Sequence, residues 1–296
     1  MNIFKLRPGE HHSVALTASN YHTETGKKAP WFQRRGDKMM HYAVCPECDN
    51  PMHIVNLDVD RKVDTGERPL PLYAKHAITS IEGIGDYDAE AYEDCSLRDP
   101  SSFNGKSARR KPGKVANGIV QALIERADAV HFFVERFLGL DITDALFESL
   151  LREFHKQDGQ LYRAASTSNL PYALLYMGGN QSTYGCRAKP GSPFYDALAQ
   201  SSYFKIKDDR SFGYRQAKQK PNPRLRFFVT DHAIGKAHAE QGVEQTMTLV
   251  VEEELGATRT QLLRRPIALE IDFFRKVADK RLRLRDLARA ALAPAQ

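Results

Sequence analysis

Tyr42-Ala43-Val44-Cys45-Pro46-Glu47-Cys48-Asp49-Asn50 decides how the N-terminal third of the chain is read. Two residues separate the cysteines, so one tight turn can aim both thiolates at one ion, and Pro46 stiffens that turn. Zinc takes four ligands at tetrahedral angles in a structural site, so a second pair must come from elsewhere. His76 and Cys95 are the best candidates by residue type; His53 is close in sequence and Cys186 is the remote option. A redox dithiol shares the spacing but needs a strand followed by a helix start, and no such context surrounds Cys45. Two ordinary reduced cysteines are the plain alternative.

Around this turn, apolar alternation is short, at Tyr42–Val44 and Met52–Val59. Residues 1–105 therefore read as a zinc-bearing region of short strands and loops, where metal binding supplies folding free energy. Between Glu82 and Asp99 lie seven acidic residues and one arginine, read as a solvated loop that could also hold a cation. Residues 106–114 form a basic linker, with Lys106, Arg109, Arg110, Lys111 and Lys114 and no acidic residue, broken by Pro112 and Gly113.

Residues 115–296 read as an α+β region. Ile119, Leu123, Ala127, Val130, Val134 and Leu138 recur at three- and four-residue steps and predict one long helix stopped at Gly139. A second helix is expected from Asp141 or Thr143 to about Lys156, with Leu146, Leu150 and Phe154 inward, closing a helical hairpin over 115–156. Pro193–Gln200 is a short helix. Tyr203–Lys207, Leu225–Thr230, Thr246–Glu252 and Pro266–Phe273 read as strands, and Arg281–Leu292 as a basic amphipathic helix.

The fold class is thus α+β: a zinc-stabilised, loop- and strand-rich N-terminal part, a helical hairpin, mixed strands and a C-terminal helix. The chain has 296 residues, 42% hydrophobic and 27% charged, a globular composition. A net charge of +6 favours acidic partners. No apolar run approaches the ~20 residues that span a bilayer, and no secretory leader is visible, so the expected setting is cytoplasmic and reducing.

The segment Tyr42–His76 resembles the zinc-finger-like N-terminal part of the CoiA-like competence family. The resemblance rests on an aromatic residue at Tyr42, the CPxC turn at Cys45–Cys48, the apolar strand Met52–Leu57, and Leu72-Tyr73-Ala74-Lys75-His76 ending in histidine. It implies that His76 joins Cys45 and Cys48 as a metal ligand, and an association with DNA. The family continues into a restriction-like nuclease core. Here the acidic residues offered for Mg²⁺ are Asp231, Glu252, Glu270 and Asp272, and the lysine expected two residues after Glu270 is absent.

Between Tyr203 and Phe228, eight Lys/Arg residues accompany two aspartates and several aromatics. Arg215, Lys218, Lys220, Arg224 and Arg226, with the 106–114 linker, are the candidate contacts to DNA or RNA phosphates, and neighbouring rings could stack on bases. Arg281, Arg283, Arg285 and Arg289 are a third basic group, more readily read as a solvated helix face. His11, His12, Asn20 and His22 fit an HNH nuclease poorly in order and spacing; His232 and His238 read as surface residues. The leading expectation is a zinc-stabilised nucleic-acid-binding subunit of a mobile-element, competence, phage-defence or RNA-guided complex. A Mg²⁺-dependent nuclease and a protein-interaction subunit without nucleic-acid contact are the alternatives.

Overall fold

The computed structural model describes residues 1–10, 12–57, 71–98, 107–206, 214–216, 222–238 and 242–293, the side chains of 214–216, 234–238 and 242–244 excepted. Lys106, Lys218, Lys220 and His11 lie outside the described residues, as does part of the acidic and basic segments that contain them.

The architecture is α+β. Strands β1 (Ile3–Phe4) and β2 (Val14–Ala15) pair antiparallel, and α1 (Ala18–Thr25) follows, its first turn capped by Thr17 accepting from the Asn20 amide. Strands β3 (Phe32–Arg35), β4 (Lys38–Val44), β5 (Pro51–Val55) and β6 (Tyr73–His76) form an antiparallel meander in sequence order. Period-two alternation sends Met52, Ile54 and Ala74 to the main core and Arg35, Lys38 and Lys75 to the opposite face. The acidic stretch is not only a solvated loop: Asp88 caps a short helix, α2 (Ala89–Glu93), that leads into Cys95.

The long helix expected after the linker is two helices, α3 (Lys114–Glu125) and α4 (Ala127–Leu138), broken at Arg126. Arg126 is buried and donates to the Thr167 carbonyl at 3.1 Å, so a side-chain tie sets the break. Gly139 ends α4 at φ 69°, and a Cβ there would sit 2.2 Å from that of Ser192, so both conformation and space demand glycine. After β7 (Leu140–Asp141), Thr143 caps α5 (Asp144–Lys156). Helices α4 and α5 meet at His131 and Phe147, but instead of closing a simple hairpin both pack on α6 (Leu170–Met177).

Every residue of α6 is buried, as a helix apolar on all sides must be. Strands β8 (Gln181–Ser182) and β9 (Arg187–Ala188), then α7 (Pro193–Ala199), lead to a small β10 (Phe204–Ile206)–β11 (Tyr214–Gln216) pair. The C-terminal sheet consists of β12 (Arg224–His238), β13 (Gly242–Leu255) and β14 (Thr258–Ala268), ordered β14-β13-β12-β8. The strand expected over 266–273 ends at Ala268. Ile271 instead opens α8 (Ile271–Ala291), longer than the expected 281–292, with Phe274, Ala278 and Leu282 buried at four-residue steps. Phe274 meets Phe133 of α4 edge-on, at 5.3 Å between ring centroids.

His232 is buried, not a surface residue. The Tyr162 hydroxyl donates to its Nδ1 at 2.6 Å, and its Nε2–H donates to Gln245 Oε1 at 2.8 Å, tying β12 and β13 to the loop before α6. Burial holds the imidazole below its ordinary value and pushes the Tyr162 hydroxyl up, so both stay neutral. The unfolded imidazole gains its proton near pH 6.5, while the folded one resists it to lower pH. The unfolded state therefore binds more protons in that window, and stability falls as pH drops below about 6.5. His232→Gln should lower stability at neutral pH, yet flatten this decline by up to about 1 kcal/mol per pH unit. Urea unfolding from pH 7.5 to 5 checks this; parallel curves would remove His232 as its source.

Candidate metal centre

Cys45 ends the β4 side of the β4–β5 turn and Cys48 lies within it. The Cys45 amide donates to Asn50 O at 2.8 Å and the Asp49 amide to Cys45 O at 3.1 Å, with Asp49 at φ 63°. That closes the turn with both thiols on one side. His76 arrives at the end of β6, opposite Met52 in register. Cys95 arrives by another route. Fully buried Asn50 donates to the Asp88 carbonyl at 3.0 Å and accepts from the Asp88 amide at 2.7 Å. This pair clamps the start of α2 to the cysteine turn, so Cys95, two residues past the end of the helix, falls back on it.

One ligand atom from each of Cys45, Cys48, His76 and Cys95 lies within 4.8 Å of every other. Cys45 Sγ and Cys95 Sγ are 3.7 Å apart, and Cys48 Sγ and His76 Nε2 are 3.3 Å apart. Tetrahedral zinc with Zn–S near 2.3 Å places sulfurs about 3.8 Å from each other, so the group has the dimensions such an ion requires. Burial pushes the Cys45 and Cys95 thiols well up, whereas hydrogen bonds from Cys45, then Cys95 and His76, hold Cys48 down as a thiolate. A divalent cation would relieve the cost of gathering further thiolates in this dry site. Asn50 Nδ2 donates to Cys48 Sγ at 3.3 Å, a supporting bond beyond the ligands themselves. These four form a Cys3His group that can hold a metal ion, the only such group of three or more among the described residues. His53 and Cys186 are not in it. His53 sits on the opposite face of β5, and Cys186 is buried separately.

The residue between the cysteines carries a second connection. Glu47 accepts from the Thr167 amide and hydroxyl, both at 2.9 Å, and from the Ser168 hydroxyl at 3.1 Å. The cysteine turn is thereby fastened to the segment that starts α6. Sequence reasoning missed this role, because a carboxylate between two cysteines gives no sign of a partner 120 residues away.

The basic candidates scatter. Arg110 is buried and its guanidinium binds the Tyr162, Arg163 and Ala165 carbonyls; it does not face solvent. Arg109 donates to the Gln157 and Asp158 carbonyls at the end of α5. Lys114 pairs with Asp49 at 3.2 Å, whereas Lys111 is exposed. Arg215 lies on β11 opposite Lys205. Arg224 and Arg226 stand opposite Glu254 and Glu252 in register, and Arg226 also binds Asn180.

The carboxylates offered for Mg²⁺ are dispersed as well. Asp231, at φ 52° beside a bulge in β12, pairs with Arg264. Glu252 is in β13. Glu270 and Asp272 are not on a strand: Glu270 stands just before α8, its carboxylate taken by Nε and Nη of Arg136 and making no capping bond, and Asp272 in the first turn pairs with Arg275 at 3.3 Å.

No protein-family model, no curated protein and no solved structure matches this chain significantly. No helix among the described residues is long and apolar enough to cross a membrane.

Glu47→Ala removes three hydrogen bonds to a charged, half-buried acceptor and should cost about 2 kcal/mol in urea unfolding. A loss under about 0.5 kcal/mol, the level of an ordinary surface substitution, would show that the turn is not held through Glu47.

Proposed function

We propose that this chain is a zinc-stabilised nucleic-acid-binding protein, with Cys45, Cys48, His76 and Cys95 holding one structural zinc ion. Four protein ligands and full burial of Cys45 and Cys95 leave no open position for a substrate, which favours the closed structural type over a catalytic one.

The observation that carries the nucleic-acid reading is the outer face of the β3–β6 sheet. Arg35 and Lys38 are paired in register at one end; His53 and Lys75 continue the row that begins at Tyr42, whose ring is buried in a small apolar cluster with Ile81 and Ile84. Tyr73, 37% exposed, lies two residues from Lys75 on the same face. Arg35 stacks over the Tyr42 ring at 5.7 Å, and burial, then the charges of Lys75 and Arg35, hold His53 below its ordinary value. Lys75 two residues from the partly exposed Tyr73 ring, with Arg35 and Lys38 further along the same face, suits a single strand, whose phosphates such cations neutralise while a base stacks. The metal group lies toward the other side of this sheet, where it fixes the ends of β4, β5 and β6 and so the spacing of the face. The motif order that resembles the CoiA-like competence family, over about 35 residues, supports the same reading. A role as a subunit of a mobile-element, competence, phage-defence or RNA-guided complex is consistent with it.

Protein purified without chelator should carry one zinc per chain, lost in Cys45→Ser, with affinity falling at acid pH because the ligands must shed protons. Absence of zinc in wild-type protein would overturn the metal assignment. Arg35→Glu, Lys38→Glu and Lys75→Glu combined should weaken binding of single-stranded DNA or RNA. The same variant should reduce the slope of log affinity against log salt by about 2, at roughly 0.7 per phosphate contact. Fluorescence anisotropy reads both quantities; unchanged affinity and slope would eliminate this face.

A further inference from the structure

The basic C-terminal helix does not present one uniform solvated face. Arg281 pairs with Asp128 at 3.0 Å, Arg285 donates to the Glu125 carbonyl at 3.1 Å, and Arg289 lies 3.8 Å from Asp286. On another side of α8, Lys276, Lys280 and Arg283 recur at i, i+4 and i+7, one stripe of like charge, and all three are exposed. Among the described residues no carboxylate lies within ion-pair distance of any of them. Together with residues 12–15 and Asn20, they line a cavity of about 340 Å³.

Among the described residues, Asp279 is the only carboxylate lining this cavity, and it is already engaged. It accepts from the Ser13 amide at 3.4 Å and the Ser13 hydroxyl at 3.5 Å, and pairs with buried Arg126 at 3.5 Å. Arg275, 4% exposed, also lines the cavity; its two terminal nitrogens serve the Ser13 carbonyl and Asp272, and its Nε has no partner. His12, 3.9 Å from Asp279, adds a further potential donor at the rim. Three cations without an acidic partner, beside an Asp279 and an Arg275 that are each already paired, give this concave region a local surplus of positive charge, where low-dielectric walls strengthen attraction for an anion.

We propose that this cavity, between residues 12–15, Asn20 and the Lys276–Lys280–Arg283 stripe of α8, binds a phosphate-bearing ligand of nucleotide size. Its volume falls at the small end of the range for small-molecule sites and exceeds what a bare anion fills. Three exposed cations suit the spread charge of phosphate; beside them the Asn20 and Ser13 side chains, whose donors are held by Ala15 and Asp279, offer oxygens to accept from a polar group attached to that phosphate. The assignment does not depend on the sheet face or on zinc.

Isothermal titration of full-length protein with pyrophosphate and with a nucleoside monophosphate, at fixed ionic strength, tests it. Saturable binding is expected, weakened at least about tenfold, or roughly 1.4 kcal/mol, in Lys280→Gln/Arg283→Gln. Both side chains are exposed, so circular dichroism should show the variant folded. Competition with a 5′-phosphorylated oligonucleotide and its 5′-hydroxyl twin separates the sources. Displacement by the phosphorylated strand alone assigns the site to a strand end, and displacement by neither assigns it to a free nucleotide. No heat of binding in the wild type, or equal affinity in the double variant, would overturn the site. Loss of pyrophosphate binding in the Arg35/Lys38/Lys75 variant would also overturn it, by moving the anion to the sheet.

Discussion

Three sulfurs and an imidazole nitrogen crowd into a buried space between the ends of β4, β5 and β6 and Cys95, just past α2. Without a cation, such a gathering is unfavourable: burial resists thiolates, and thiolates repel each other. With one, the same groups form the strongest local link in a region of short strands. The sheet has four strands of four to seven residues, and its outer face is partly wet. Such a sheet buries little apolar area on its own, so its register depends on how its ends are fixed. Asn50 and Asp88 bring the last ligand into place, and Glu47 extends the constraint to the loop before α6.

From that point the structure is held by burial. The apolar core runs without a break from Phe4 through α4 and α6 to Phe274 and Ala278 of α8. Helix α6 is its centre, with α4, α5 and β12 packed around it. Polar ties join this core at chosen places. The Tyr162–His232–Gln245 chain is hydrogen-bonded, and Arg126 and Asp279 form a buried ion pair, so removing one partner leaves the other stranded at a cost.

How much of this was legible in the sequence depended on range. The CxxC turn is local chemistry, and Cys45 and Cys48 could be read from spacing alone. His76 and Cys95 could be named by residue type, but the Asn50–Asp88 clamp that brings Cys95 in could not. Thr143 and Gly139 were readable because caps are local. Helix α6 was missed although Pro171 in its first turn signals a start, because an all-apolar helix has no polar face to give it a period. Phe273 and Ile271 suggested a strand by propensity, and the four-residue spacing of Phe274, Ala278 and Leu282 prevailed. The setting of the basic segments was out of reach for a related reason: composition records charge but not the carbonyls around Arg110 or the glutamates opposite Arg224 and Arg226. The outer face of the β3–β6 sheet went unnoticed because its cations are spread over three strands and meet only through pairing.

The bonds from Ser13 to Asp279 and Arg275 span more than 260 positions. A contact of that range has a high entropic cost of closure and can form only after the intervening chain has settled. The metal ligands, by contrast, all lie within 50 residues of one another. During synthesis the cysteine turn can therefore be organised while α8 does not yet exist, and the segment around Ser13 must wait. The molecule thus has an early-fixed end and a late seam, and local opening should begin at the seam, where residues 12–15 can lift from α8 without disturbing the Cys3His group.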